Sequence, residues 1–232
     1  MIIAVTGSLG SGKSTASKIL AGVLDAGHID TDQLCKKEML PGSRGYEEFR
    51  KIFGARYLHA DGTLNRVLLR QAVFGDGRIR EELENILHPL VRLHVAELAR
   101  RCNASGEHLV VEVPLLFEVG WQQDFDAWVV VYVPEDQCLA RVSVRDGLSA
   151  AEIQRVFASQ LPISLKLKLA HFVVDNSGSF VSTVQQLAWL GKKLKSGRKS
   201  WELNNRPAKK LDSTDMNTYK GNNDLKLNPC LC

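Results

Sequence analysis

The sequence predicts an α/β domain: a mainly parallel five-stranded sheet with helices on both faces. Two observations predict it. Short strand-like runs at residues 2–5, 27–32, 109–113, 128–133 and 172–175 alternate with stretches of helical periodicity, as successive strand–helix–strand crossovers require. The run Trp128-Val-Val-Val-Tyr-Val133 is β-branched and apolar on both faces, which suits a strand covered on each side. With 232 residues and 44% hydrophobic content, the chain can bury a substantial core in one such domain. No internal repeat is visible.

The first strand, Ile2–Val5, runs straight into a glycine-rich loop. Gly7, Gly12, Lys13 and Ser14 match G-x-x-x-x-G-K-[ST], and the alanine-rich stretch Ser14–Leu24 behind them favours a helix. Strand, loop and helix in that order are the context a phosphate loop needs. Glycines at 7, 10 and 12 let the backbone turn tightly and keep Cβ atoms away from an approaching polyphosphate. The N–H groups along Ser8, Leu9, Gly10, Ser11, Gly12, Lys13, Ser14 and Thr15 can then converge on the phosphates, backed by the positive end of the helix. The Lys13 ammonium reaches the β/γ-phosphates, and the Ser14 hydroxyl can hold Mg²⁺. The pattern implies binding of a nucleoside triphosphate.

The remaining elements follow in order. Gly27–Asp32 reads as a short strand ending in two carboxylates, and Lys36–Gly45, with Pro41 and Gly42, as a turn. Tyr46, Phe49, Ile52 and Phe53 recur at helical spacing. Ala60–Thr63 is a turn before a helix over 65–74, on which Arg66 and Arg70 share a face. A long helical pattern over 78–101 is interrupted at His88-Pro89, where proline should kink or restart the helix. Leu109–Val113 is a strand closed by Pro114. Pro134 ends the β-branched strand, and a helix over 135–146 carries Arg141 and Arg145. Ser149-Ala-Ala-Glu152 is a capping box that starts a helix to about Gln160. Phe172–Asp175 is the last strand, and Phe180–Leu194 a closing helix. From about residue 196 to 232 the composition turns to Lys, Asn, Ser, Asp and Gly, which predicts a disordered polar tail.

Bulk properties narrow the function classes. A net charge of +4 suits small anionic substrates and gives no argument for nucleic acid. No apolar run reaches transmembrane length. The first strand begins at residue 2, so the expectation is a cytoplasmic protein without a leader, monomeric or weakly oligomeric. Cys35, Cys102 and Cys138 are scattered without a C-x-x-C pair, so they are expected to be reduced rather than zinc-bound; the chain ends Cys230-Leu-Cys232, read as an inert tail.

Three features separate the enzymes that use a phosphate loop. An Asn-Lys-x-Asp guanine-reading signature is absent from the sequence, which argues against a guanine-specific switch. Asp30 and Asp32 stand at the carboxyl end of the second strand, the edge where open α/β sheets bind ligands. There a carboxylate can accept the proton of an attacking hydroxyl; Asp32 suits that role, and Asp30 reads as a helix cap or turn carboxylate. Arg141, Arg145 and Arg155 lie on a helical pair after the fourth strand, where guanidinium groups could meet the charge of a transferred phosphoryl group. A nucleoside or nucleotide kinase and a nucleotide-dependent binding switch are the alternatives.

The ordered motifs Gly7–Thr15, Asp30-Thr-Asp32, Pro41-Gly42, Asp61–Arg66, Leu87-His-Pro-Leu90, Pro114-Leu-Leu-Phe-Glu118, Arg141-x-x-x-Arg145-Asp146 and Asp175-Asn176 resemble the dephospho-CoA kinase family over about residues 1–195. The resemblance implies a P-loop NTPase-type fold with a helical substrate-binding insertion over 33–108 and a lid over 141–165. It implies ATP- and Mg²⁺-dependent phosphorylation of the ribose 3′-hydroxyl of dephospho-CoA, the last step of coenzyme A synthesis. In these terms Asp32 is the candidate base, with Lys13 and Arg145 as its catalytic companions. Thr6, Arg66, His88, Pro114, Leu115 and Leu116 line the acceptor pocket, and Arg141 and Asn176 lie near the adenine. The chain departs from the family pattern at Thr31, Lys36, Glu112 and His171, where alanine, arginine, aspartate and aspartate are usual.

Overall fold

The strand that feeds the glycine loop, β1 (Ile2–Gly7), is the centre of the sheet in the computed structural model, which describes residues 1–196. Its six residues are all buried, as a strand covered on both faces must be. From β1 the chain passes through α1 (Lys13–Leu24) to the edge strand β2 (Gly27–Asp30). It returns through α2 (Thr31–Glu38), α3 (Arg44–Phe53), α4 (Arg66–Gly75) and α5 (Gly77–Ser105) to β3 (Leu109–Glu112), beside β1. Then it crosses to β4 (Ala127–Tyr132) on the other side. After α6 (Glu135–Asp146), α7 (Ala150–Ala158) and α8 (Ile163–Leu169) come the outer strand β5 (Phe172–Asp175) and α9 (Phe180–Ser196).

All pairings are parallel, in the order β2-β3-β1-β4-β5. The winding reverses at β1, so the crevice at the strands' carboxyl ends opens there. Register puts Glu112 level with both Val5 and Asp30, and Gly7 level with Val131. The sheet therefore delivers Gly7, Asp30 and Glu112 to one edge.

Two cores lie against the two faces. On one, Ala16, Leu20 and Leu24 of α1 and Leu187, Leu190 and Leu194 of α9 pack on Ile3, Val5, Val129 and Val131. On the other, Ile2, Ala4, Val111 and Val130 pack on the helical region, through residues such as Phe49, Leu69, Leu83 and Leu87. Phe49 sits at its heart, fully buried, with its ring centroid 4.9 Å from that of Phe53 and 6.3 Å from that of Tyr57. No helix of the described residues is long and apolar enough to cross a membrane.

Four expectations need correction. The strand read to Asp32 stops at Asp30, because the Asp30 carboxylate caps a helix that begins at once, accepting the N–H groups of Asp32 and Gln33. Leu34 and Cys35 are flanked by polar residues in Thr31-Asp-Gln-Leu-Cys-Lys-Lys-Glu38, so α2 leaves little hydrophobic period to read. The long helix does not restart at His88-Pro89 but runs unbroken over Gly77–Ser105. Pro89 and Asn85, one turn earlier, are both exposed, so the carbonyl that loses its partner faces water. Helix α8 was not anticipated, since Ile-Ser-Leu-Lys-Leu-Lys-Leu alternates with the period of a strand. Cys35 is disulfide-bonded, not reduced as expected, whereas Cys102 and Cys138 are free. The polar tail from 197 onwards lies outside the described residues.

Phe49→Ala should cost about 3–5 kcal/mol of folding free energy, the usual penalty for emptying a fully buried aromatic site. Urea unfolding followed by far-UV circular dichroism would measure it, and a loss below about 1 kcal/mol would show that the helical region repacks.

Candidate active site

The glycine loop has the backbone its sequence requires. Gly10 and Gly12 adopt φ of +79° and +85°, the left-handed region that side chains disfavour. A Cβ on Gly10 would lie 2.7 Å from Val142 Cγ2, and one on Gly12 would collide with the amide of Asn176. Gly12 starts α1 without a side-chain cap, which leaves the first-turn N–H groups of this helix for an anion. Ser11 Oγ is buried and has no hydrogen-bond partner among the described residues, a cost that a phosphate oxygen would remove. Lys13 Nζ meanwhile donates to the Ser8 carbonyl at 3.0 Å.

Glu112, at the end of β3, is buried and organises the next layer. Ser14 donates its hydroxyl to Glu112 Oε1 at 2.7 Å, and Ser17, one turn on, lies 3.3 Å from Oε2. Ser17 also meets His28 Nε2 at 2.9 Å. The Glu112 carbonyl accepts the Thr31 hydroxyl at 2.9 Å. Since the Ser14 O–H points to and donates to Glu112, the oxygen lone pairs of this exposed serine stay available to a cation. A hard oxygen ligand supported by a buried carboxylate fits Mg²⁺, which keeps several waters and phosphate oxygens of its own. Among the described residues there is no cluster of three or more carboxylate, imidazole or thiol side chains that could bind a metal alone.

Asp32, in the first turn of α2, is the most perturbed carboxylate of this edge. Burial raises its pKa to about 6, helped by the negative charges of Asp30 and Glu112 and opposed by Lys13 and Lys36. Burial also holds the Lys13 ammonium below the usual lysine range, against the pull of Glu112 and Asp32. Both groups are therefore strained towards neutrality in the absence of an anion. Nearby, the Thr6 hydroxyl donates to the Pro114 carbonyl at 3.2 Å, and Leu115 and Leu116 are buried beneath that turn.

The other candidates are held by contacts of their own. His88 packs edge-on against Trp121, 5.7 Å between centroids, and burial lowers its pKa; with Pro89, Arg92, Leu93 and Ala96 they line a cavity of about 440 Å³. Arg141 donates to the Asn176 carbonyl at 3.0 Å, while Asn176 donates to the Ser11 carbonyl at 2.8 Å and accepts from Thr183 at 2.8 Å. Arg141 and Asn176 are thus brought to the loop as a unit. Arg66 and Arg145 lie on the first turn of α4 and the last of α6. Arg145 is exposed and forks onto the adjacent Asp146 with two bonds of 2.7 Å, and Arg155 reaches back to the Ala151 carbonyl. Lys13 and Ser14 bond to Ser8 and Glu112, and Arg141 and Asn176 reach the loop through the Ser11 carbonyl.

Sequence reasoning missed Ser17, Thr31, Gln160 and Thr183. Ser17 was findable, since it shares a helix face with Ser14 three residues earlier. Gln160, whose Oε1 accepts the Leu9 N–H at 3.3 Å, gives no local signal.

A glycine loop feeding a helix from the central strand of a parallel sheet, with carboxylates on the adjoining strand ends, defines a P-loop kinase for a small acceptor. A model of the dephospho-CoA kinase family matches residues 1–182. Among similar proteins are dephospho-CoA kinases of Desulfotalea psychrophila, 38% identical over 81% of this chain and 94% of that one, and of Anaeromyxobacter dehalogenans, 40% identical over 77% and 84%. Among solved structures, a Thermus thermophilus protein superposes with a TM-score of 0.72 at 31% identity, covering 85% of this chain and 97% of that one. A dephospho-CoA kinase from Campylobacter jejuni gives 0.64 at 28%, covering 84% and 98%. The chain belongs to the dephospho-CoA kinase family.

The Asp32 electrostatics carry a stability prediction. A carboxyl whose folded pKa is raised binds its proton more tightly when folded, so it costs stability as pH climbs from near 4 to above 6. Asp32→Asn removes that penalty and should raise Tm at about pH 7, with the gain vanishing below about pH 4. Calorimetry at the two pH values checks it; an equal gain at both would mean that packing, not charge, is responsible.

Proposed function

We propose that this chain transfers the γ-phosphoryl group of ATP to the ribose 3′-hydroxyl of dephospho-CoA, giving ADP and coenzyme A. The observation that carries the residue assignments is the meeting of Lys13, Asp32 and the Ser14–Glu112 pair at one strand edge, with mutual electrostatic influence. In this reading the loop from Ser8 to Thr15 wraps the triphosphate, and Lys13 leaves the Ser8 carbonyl to meet the β/γ-phosphates. Ser14 would hold Mg²⁺ through an oxygen lone pair while its O–H donates to Glu112; the metal would supply charge neutralisation to the phosphates. Arg141 and Asn176 flank the adenine.

Asp32 accepts the proton of the attacking hydroxyl. A base with a pKa of about 6 is ionised at neutral pH and still basic enough to bind a proton. The acceptor lies along Thr6, the Pro114-Leu115-Leu116 turn, His88 and Arg66, within the helical region of residues 33–108. Arg145, on a lid spanning 141–165, exchanges Asp146 for the phosphoryl oxygens. Both substrates are small and water-borne, and we assign the reaction to the cytoplasm.

An ADP-release assay with dephospho-CoA beside a panel of nucleosides tests the assignment. Turnover with dephospho-CoA is expected; turnover only with a nucleoside would replace the acceptor, and none with any would end the proposal. Lys13→Ala should abolish transfer, and near-normal rates would contradict the phosphate site. Asp32→Asn should lower kcat by about 10²–10⁴-fold with ATP affinity changed only a few-fold by calorimetric titration. Loss of ATP binding instead would make Asp32 structural. In the wild type, kcat/KM for the acceptor should drop about tenfold per pH unit below about 6, because the base is then protonated; a flat profile down to about pH 5 would remove Asp32 from that role.

A further inference from the structure

Lys166 lies in the middle of α8 with none of its side chain exposed. Its Nζ is 2.7 Å from Oε1 of Glu118, whose side chain is 3% exposed. That oxygen also accepts the Leu161 N–H at 2.8 Å. The ion pair is close but not aligned as a hydrogen bond: neither Lys166 Nζ nor Glu118 Oε2 has a hydrogen-bond partner among the described residues. An ammonium carries three donors, so this one keeps unused donors in a dry place.

Such a pair is a poor way to hold a fold together. Apolar side chains of similar volume often serve as well or better, and Leu161, Ile163, Leu165 and Leu167 already pack against the core around it. Its position suggests another use. Ser159, Gln160 and Leu161 are buried, and Gln160 is bonded to Leu9 of the phosphate loop. Glu118 closes the turn whose Pro114 carbonyl holds Thr6. The pair is therefore strung between the loop and the acceptor-side turn. Lys166 also lies near enough to Lys13 for the two ammonium groups to repel, which adds to the effect of burial on Lys13. Each of these buried cations has a carboxylate near it, Glu112 for Lys13 and Glu118 for Lys166, and a phosphate oxygen would occupy the donors that Lys166 leaves unused.

We infer that Lys166 is a second phosphate-directed cation of the transfer site, held beside Lys13 by Glu118, with its unused donors turned to the phosphoryl group in transit. The inference rests on the phosphotransfer reading above.

The test uses the full chain with ATP, Mg²⁺ and dephospho-CoA, comparing Lys166→Met, Glu118→Gln and the double variant. The glutamine keeps an acceptor for Leu161 N–H, and the double variant leaves no uncompensated buried charge. Lys166→Met should lower kcat about 10²-fold, the scale for losing one preorganised charge-stabilising group, with KM for ATP within a few-fold. The double variant should unfold near the wild-type Tm yet stay as slow as Lys166→Met. A purely structural pair predicts the reverse, recovery of the rate in the double variant, and that result would overturn the inference. So would Lys166→Met turning over like an active wild type, or failure of both lysine variants to fold. An inactive wild type would overturn the phosphotransfer reading and this inference with it.

Discussion

One buried carboxylate holds the working edge of this protein together. Glu112 ends β3 between β1 and β2, level with Val5 and Asp30, and is 4% exposed. An ionised group at such depth is tolerable only if its lone pairs are occupied. Ser14 and Ser17 of α1 occupy them, and Thr31 of α2 binds the same residue's carbonyl. The helix that follows the phosphate loop and the helix that carries Asp32 are thus fixed to one strand end. In the proposed reaction, the relative placement of the triphosphate and of Asp32 as base would follow from the sheet.

The charges on this edge are arranged at a cost that a ligand removes. Without an anion, burial pushes Lys13 towards its neutral form and Asp32 towards its protonated form. A bound triphosphate would favour the lysine cation, while a hydroxyl beside Asp32 would give the carboxylate a proton to receive. In the proposed reaction the site would be preorganised for the charge it receives, the form that electrostatic stabilisation takes in enzymes. Asp30 contributes twice, capping α2 and adding negative charge beside Asp32.

What the sequence revealed and what it hid divide along the range of the interactions. The phosphate loop was legible because every requirement is local: a glycine where φ is positive, a lysine and serine one step beyond, a helix to follow. The five strands were legible from β-branched apolar runs, and the capping box at Ser149–Glu152 formed as its four residues indicate. Helix α2 was hidden because Asp30, read as a cap or turn residue, starts a helix whose polar face is nearly all of it. Helix α8 was hidden because its leucines alternate while tertiary packing, not period, decides its shape. The Gln160–Leu9 and Glu118–Lys166 contacts join residues far apart in the chain, and no local pattern announces them. The role for Arg66 came from resemblance alone, whereas that for Arg145 was read also from its place on the helix after β4.

The two ion pairs Arg145–Asp146 and Glu118–Lys166 differ in depth. Arg145 and Asp146 are neighbours at the surface, joined by a pair of a kind worth about 0–1 kcal/mol. In the proposed reaction, Arg145 would exchange this surface contact with Asp146 for phosphoryl oxygens. Removing one partner of a buried pair like Glu118–Lys166 costs about 3–5 kcal/mol, and the Leu161 amide is tied to the same carboxylate. In the proposed closure, α6 and α7 would pivot before Leu161 and carry Arg145 inward, while Gln160, Leu161 and Lys166 stay with the buried floor. Such a division would let a rigid wall hold the proposed acceptor while a surface cation meets the phosphoryl charge.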